Sequence, residues 1–228
     1  MNLLMMALFV IFVKKKNMKI IIVTLIFLLS STSTVLSQDK KAQGILNKVS
    51  SKMKALKCFY VEFNANVKSK NKTENQNGNG WVKGNKFVAS YAGNTIISNG
   101  MKTWTIIKDE KTVYESDANN DSESVHPKRI MTIWETGFKN KYEKEESLNG
   151  EIVHVINLFP KTPAKSEFNS ITVYISKSTN ALKKAIMKSK DGSIMTYSVT
   201  KFQENPAIND TKFVFNKKNY PGYPVIKD

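Results

Sequence analysis

The most regular signal in the chain is a helical stripe that gives way to alternation. Ala42, Ile45, Leu46, Val49, Met53 and Leu56 recur at offsets 0, 3, 4, 7, 11 and 14, one continuous face of a 3.6-residue helix. Lysines and serines fill the back, and Asp39 stands where a carboxylate would cap the first free amides. The pattern predicts a helix over 39–56. The period then drops to two. Phe59, Val61, Phe63, Ala65 and Val67 point one way, and Tyr60, Glu62, Asn64 and Asn66 the other.

Polar 69–79 reads as a long turn. Strand-like runs follow at 80–83, 87–91, 95–98, 103–108 and 111–115, punctuated by Asn99-Gly100 and Asp109-Glu110. After an acidic loop at 117–124, Pro127 suits the first position of a second helix, in which Ile130, Met131, Ile133 and Trp134 share a face up to Gly137. Strands resume at 142–148, 152–159, 170–176, 182–189 and 193–203, with 213–215 closing the set. Two-residue turns make neighbouring strands antiparallel. A sheet of about eleven such strands curls rather than stays flat. The expected fold is therefore mainly β with two helices (α+β): an incomplete, strongly curved antiparallel β-barrel covered by an N-terminal and a central helix.

Residues 1–37 stand apart from that domain, which is expected to occupy 38–228. Their apolar runs, 1–13 and 20–29, are each shorter than the roughly 20 residues a spanning helix needs. The second run has the form of a secretory signal, with Met18-Lys19 before it and a small polar tail ending Val35-Leu36-Ser37 after it. Met18 is the expected start and Gln38 the first residue after cleavage; a hairpin of two short membrane helices is the alternative. No cysteine follows the cleavage point to carry a lipid anchor, so an exported, soluble protein is expected. The single cysteine, Cys58, excludes a disulfide framework and is expected to be buried on its strand.

The formal net charge of +16 invites a nucleic-acid reading, but Arg129 is the one arginine among 35 basic residues. Base and phosphate recognition favours arginine's bidentate fork, so the bias reads as composition, and no nucleic-acid partner is expected. Catalytic chemistry is equally hard to place. His126 and His154 are far apart and fit no metal-ligand spacing, and there is no Gly-x-Ser-x-Gly elbow or phosphate-cradling loop. Glu143, Glu145 and Glu146 alternate with lysines as a solvated face does. The chain reads as a binder, with no enzyme activity, metal or cofactor expected.

Several segments, taken in order, are similar to a known family. An apolar helix leads to a strand ending in Phe63. Trp81-Val82-Lys83 and Phe87 form the next hairpin, and Ser98-Asn99-Gly100 with Trp104 looks like a Ser-Asp-Gly-x-x-x-Trp hairpin. Pro127 with Ile130, then Leu158-Phe159-Pro160-Lys161, Phe168, Ile171, Val173, Asp191-Gly192 and the tail 205–225 continue the order. The chain resembles the outer-membrane lipoprotein carrier family (LolA-like) across nearly its whole length beyond the signal.

The resemblance implies a periplasmic chaperone that shelters lipoprotein acyl chains in an apolar cavity between two membranes. An inner-membrane lipoprotein-releasing transporter would be its donor and an outer-membrane protein its acceptor, and a monomer is expected. The implied cavity wall is Phe63, Trp81, Phe87, Tyr91, Ile96, Trp104, Val173 and Ile186. The implied lid is Ile45, Leu46, Val49, Met53, Leu56, Ile130, Ile133 and Trp134. One departure stands out: Gly84-Asn85 occupy the place of an Arg-Pro pair whose arginine helps latch the lid. The competing reading is a secreted, non-catalytic interaction module whose sheet is filled solid and which binds protein or polysaccharide.

Overall fold

The computed structural model describes residues 39–118 and 131–227. The expected signal region, His126, Pro127, Arg129 and Ile130 lie outside the described residues. The helix α1 (Lys40–Ala55) comes first. Its N-cap is Asp39, whose side chain accepts from the amides of Lys41 and Ala42, and Leu56 ends it in an extended conformation.

Twelve strands follow among the described residues: β1 (Cys58–Lys68), β2 (Thr73–Lys83), β3 (Lys86–Tyr91), β4 (Asn94–Ser98), β5 (Lys102–Ile107), β6 (Thr112–Asp117), β7 (Phe138–Leu148), β8 (Glu151–Pro160), β9 (Phe168–Ser176), β10 (Leu182–Ser189), β11 (Ile194–Glu204) and β12 (Val225–Lys227). They form one curved open sheet in the order β12-β6-β5-β4-β3-β2-β1-β11-β10-β9-β8-β7. Tight turns order most of it. Between β7 and β8, for example, Asn149 and Gly150 hold φ of 51° and 81°, the double left-handed geometry that matches the twist of a hairpin. The two hairpin arrays meet where β1 pairs antiparallel with β11.

The expected architecture needs three corrections. The sheet has twelve strands, because β12 adds to β6 in parallel from the tail, and the expected strand at 213–215 does not form: Phe213 ends a 3-10 turn, Asp210–Phe213, and 214–216 join no strand. Strand β2 starts at Thr73, inside the stretch expected to turn. Two of its asparagines are satisfied across the ladder: Asn66 donates to Asn75 Oδ1 at 2.7 Å, and Asn64 pairs with Asn77. Side-chain amides there do the work that apolar burial does elsewhere, so the segment carries no hydrophobic signature. The central helix is absent from 131–137, where a single 3-10 turn, Ile133–Glu135, stands alone. Gly137 at φ 81° and extended Thr136 stop any continuation.

Apolar side chains pack on both faces of the sheet. The larger core joins Leu46, Val49 and Met53 of α1 to Phe59, Val82, Phe87, Ile156, Ile171 and Val173. A smaller cluster on the other face gathers Ile97, Ile106 and Val113 beneath Trp104, Phe215, Tyr220 and Tyr223. The tail that supplies this second cover is anchored by Phe213, which is wholly buried.

Candidate ligand-binding face

Strand register decides which side chains can meet. Phe63 lies opposite Gly78, which lies opposite Tyr91; Val61, Gly80, Ala89 and Ile96 form the next row. Val173 pairs with Ile156 on one side and Ala185 on the other. Phe63, Phe87, Tyr91, Ile96 and Val173 therefore share the face that carries α1, the inner face. Trp81, Trp104 and Ile186 do not join them. Trp81 pairs with Tyr60 and Val88, its ring 4.2 Å from that of Tyr60 and under the Lys212 ammonium at 4.5 Å. Trp104 stacks on Phe215 at 5.5 Å and donates its indole N–H to Glu115 at 3.0 Å. Ile186 alternates with buried Ala185 and Met187. All three occupy the opposite face, since a shift of one residue reverses the direction of a strand side chain.

The seat of α1 is apolar in the middle and polar at the ends. Ala42, Leu46, Val49 and Met53 are buried against the sheet, with Ile45 and Leu56 half-buried beside them. At the N-terminal end the Asp39 carboxylate also accepts the backbone N–H of Tyr142 on β7 at 2.9 Å. That bond, followed by the Ala42 amide, holds the carboxyl below its ordinary pKa of 3.8. Asn140 donates to Gln43 Oε1 at 2.6 Å, leaving its own Oδ1 buried without a partner among the described residues. At the other end Lys52 donates to the Thr179 carbonyl at 3.1 Å and pairs with Glu204 at 2.7 Å.

The segment 131–137 leans on the same helix. Trp134 is buried and donates its indole N–H to Ser50 at 2.9 Å, and Glu135 pairs with Lys54 at 2.7 Å. Ile133 packs half-buried against the shared core. Of the expected lid, these side chains and those of α1 do come together, while Ile130 lies outside the described residues. The cleft bounded by Val49, Met53, Met131, Leu182 and Phe202 is closed to about the size of one water molecule.

Farther along the inner face is an aromatic group that the sequence reading missed in part. The ring of Phe63 lies directly over Gly78, in space any β-carbon would claim. Tyr91 flanks it at 6.1 Å and Tyr197 at 5.9 Å, and all three are half-buried. Burial, then the neighbouring Tyr91, pushes the Tyr197 hydroxyl pKa up. Tyr197 was legible in the alternation Met195, Tyr197, Val199; Gly78 was hidden within a polar run.

Gly84-Asn85 form the β2–β3 turn, and their neighbours face the tail. Lys83 and Lys86 hold the two carboxylate oxygens of Asp210 at 2.6 and 2.9 Å, lowering its pKa to about 2. Near α1, His154 lies 3.4 Å from the Tyr142 hydroxyl and 3.5 Å from Glu145, and burial lowers its pKa. No cluster of three or more His, Cys, Asp and Glu able to hold a metal occurs among the described residues.

A family model described as "Outer membrane lipoprotein carrier protein LolA" matches residues 54–216. The chain belongs to the LolA family. The match runs from the last turn of α1 through Phe215, and so takes in the inner-face aromatics and the tail that covers Trp104. Among solved structures, an uncharacterized conserved protein from Thermus thermophilus superposes with a TM-score of 0.57 at 11% identity, covering 83% of this chain and all of that one. The Mycobacterium tuberculosis lipoprotein LppX gives 0.47 at 13% identity over 75% of this chain and 98% of its own. A LolA superfamily protein from Nitrosomonas europaea gives 0.38 at 14% identity over 76% and 97%. At such identities the T. thermophilus likeness speaks for the fold alone. No curated protein matches the chain.

Proposed function

We propose that this LolA-family chain is an exported, soluble, non-enzymatic carrier that holds the acyl chains of a lipoprotein between α1 and the inner face, and moves them from the inner to the outer membrane. The observation that carries the reading is the seat of α1: an apolar contact bounded by exchangeable polar ties, laid over a sheet face that continues into the half-buried Phe63, Tyr91 and Tyr197.

The closed cleft sets the energetics. In the cleft bounded by Val49, Met53 and Met131, room for a hydrocarbon chain requires α1 to move, so cargo binding there must drive the opening. A buried methylene contributes about 0.8 kcal/mol, so a sixteen-carbon chain supplies on the order of 10 kcal/mol. Part of that offsets the separation of Leu46, Val49 and Met53 from the sheet. The remainder is the net affinity, kept small enough for cargo to leave.

The same closed cleft favours a second reading, a solid-core interaction module that binds protein or polysaccharide on its surface. Native mass spectrometry of the protein purified from its producing cells separates the two. The carrier reading predicts bound species of acylated mass, and saturable uptake of an apolar fluorescent probe that Val49→Glu abolishes while Val214→Glu does not. A protein that is empty and silent to the probe would overturn it.

A further inference from the structure

The outward side of α1 is a lysine face without a carboxylate. Lys40, Lys41, Lys48, Lys52 and Lys54 are its charged residues. At roughly 100° per residue, Lys41, Lys48 and Lys52 border the apolar arc on one flank, Lys54 lies towards the other, and Lys40 points almost directly away from it. Glu204 and Glu135 neutralise Lys52 and Lys54, and Lys41 lies over the Tyr142 ring at 3.6 Å. Lys40 and Lys48 are exposed with no ion-pair partner among the described residues, and the residues between them, Gly44 and Asn47, are exposed, small and neutral.

Helix stability does not account for this arrangement. Lys40 and Lys41 fall in the first turn, where the helix dipole favours acids and opposes cations. Nor does the face look like the centre of a protein interface, which is built on arginine and aromatic anchors. Compact ammonium charges on long stems, spaced over a flat neutral surface, suit an array of lipid phosphates that can move to meet them.

We propose that the outward face of α1 is a membrane-docking surface that holds this chain on an anionic lipid bilayer. The contact needs no movement of α1 and no cargo, so it stands or falls separately from the carrier reading.

The test is sedimentation of the protein, as recovered from its producing cells, with vesicles of phosphatidylcholine alone or containing about a third phosphatidylglycerol. Binding is expected to the anionic vesicles, declining as salt rises. Each lysine near such a surface contributes about five-fold in affinity, so the pair Lys40→Gln and Lys48→Gln is expected to weaken binding about 25-fold. The charge-reversed pair Lys40→Glu and Lys48→Glu should weaken it further. Lys217→Gln with Lys218→Gln removes the same charge from the exposed 3-10 turn Lys217–Asn219 and should change binding by no more than about two-fold. Equal losses from the two neutral pairs would overturn the proposal by showing attraction to net charge alone. Equal binding to both vesicle types, or binding to neither, would overturn it as well.

Discussion

The carboxylate of Asp39 caps α1 and, with its other oxygen, accepts the backbone N–H of Tyr142 on the outermost strand, β7, at 2.9 Å. One side chain thus ends the helix and fixes that end to the edge of the sheet.

Replacing Asp39 by alanine removes both functions. An N-cap is worth about 1 kcal/mol, and the freed Tyr142 amide adds to the cost. The expected destabilisation is about 1–3 kcal/mol, with Tm lower by several degrees, measured by thermal unfolding followed by circular dichroism. Amides in the first half of α1 should exchange with deuterium faster, while those of β9 and β10 change little. Uniform acceleration through the sheet would contradict a local role.

Much of this arrangement was open to inspection in the sequence. The stripe from Ala42 to Leu56 placed α1, Asp39 announced its cap, and alternation placed β1 with Phe63 on the correct face. The failures have physical causes. Trp81 and Trp104 are large and aromatic, and local pattern assigns such residues to the principal core. Their cover comes from Lys212, Phe215 and Tyr220, which the fold brings back from the far end of the chain. Ile186 fell to the same one-residue ambiguity of strand direction. The segment 131–137 carried apolar residues at helical spacing, but Trp134 uses them to dock against Ser50 rather than to cover the sheet independently.

Gly78 is the position at which a single β-carbon does most to the inner face. Gly78→Ala drives its methyl into the Phe63 ring. Overpacking of this kind costs about 1–3 kcal/mol. Displacing the ring should also disturb Tyr91 and Tyr197 and shift the near-ultraviolet dichroism of the tyrosines. Gly44→Ala, where nothing lies within reach of a new methyl, should raise stability by about 1 kcal/mol through helix propensity. A silent Gly78→Ala would contradict the packing described.

The tail is held by one large side chain. Phe213→Ala is expected to cost about 3–5 kcal/mol, since the ring is wholly buried. Its neighbour Val214 is 59% exposed, and Val214→Ala should stay within about 0.5 kcal/mol. Urea unfolding of the two variants distinguishes them. Limited proteolysis should cut the tail of the Phe213 variant first.

Acid should loosen the same tail by another route. The Asp210 carboxyl, depressed from 3.8 to about 2 by Lys83 and Lys86, favours the folded state wherever it is ionised there. Because the folded pKa is the lower one, its contribution is complete above pH 3.8 and is lost as pH falls through about 2. Asp39 is shifted in the same direction and acts with the same sign. Asp210→Asn should flatten the stability profile between those two values, and carboxyl NMR titration should place the wild-type midpoint near 2. A midpoint at the ordinary aspartate value would show that the two lysines do not hold the group in solution.

The central claim is that α1 leaves the inner face to admit an apolar chain. Spin labels at Asn47→Cys on the outward side of α1 and Gln203→Cys on β11, in a Cys58→Ser background, report that separation by pulsed electron resonance. The account predicts one narrow distance for the empty protein and a longer, saturable second population when a diacylated lipopeptide is added. An unchanged distance at saturating lipopeptide would contradict it.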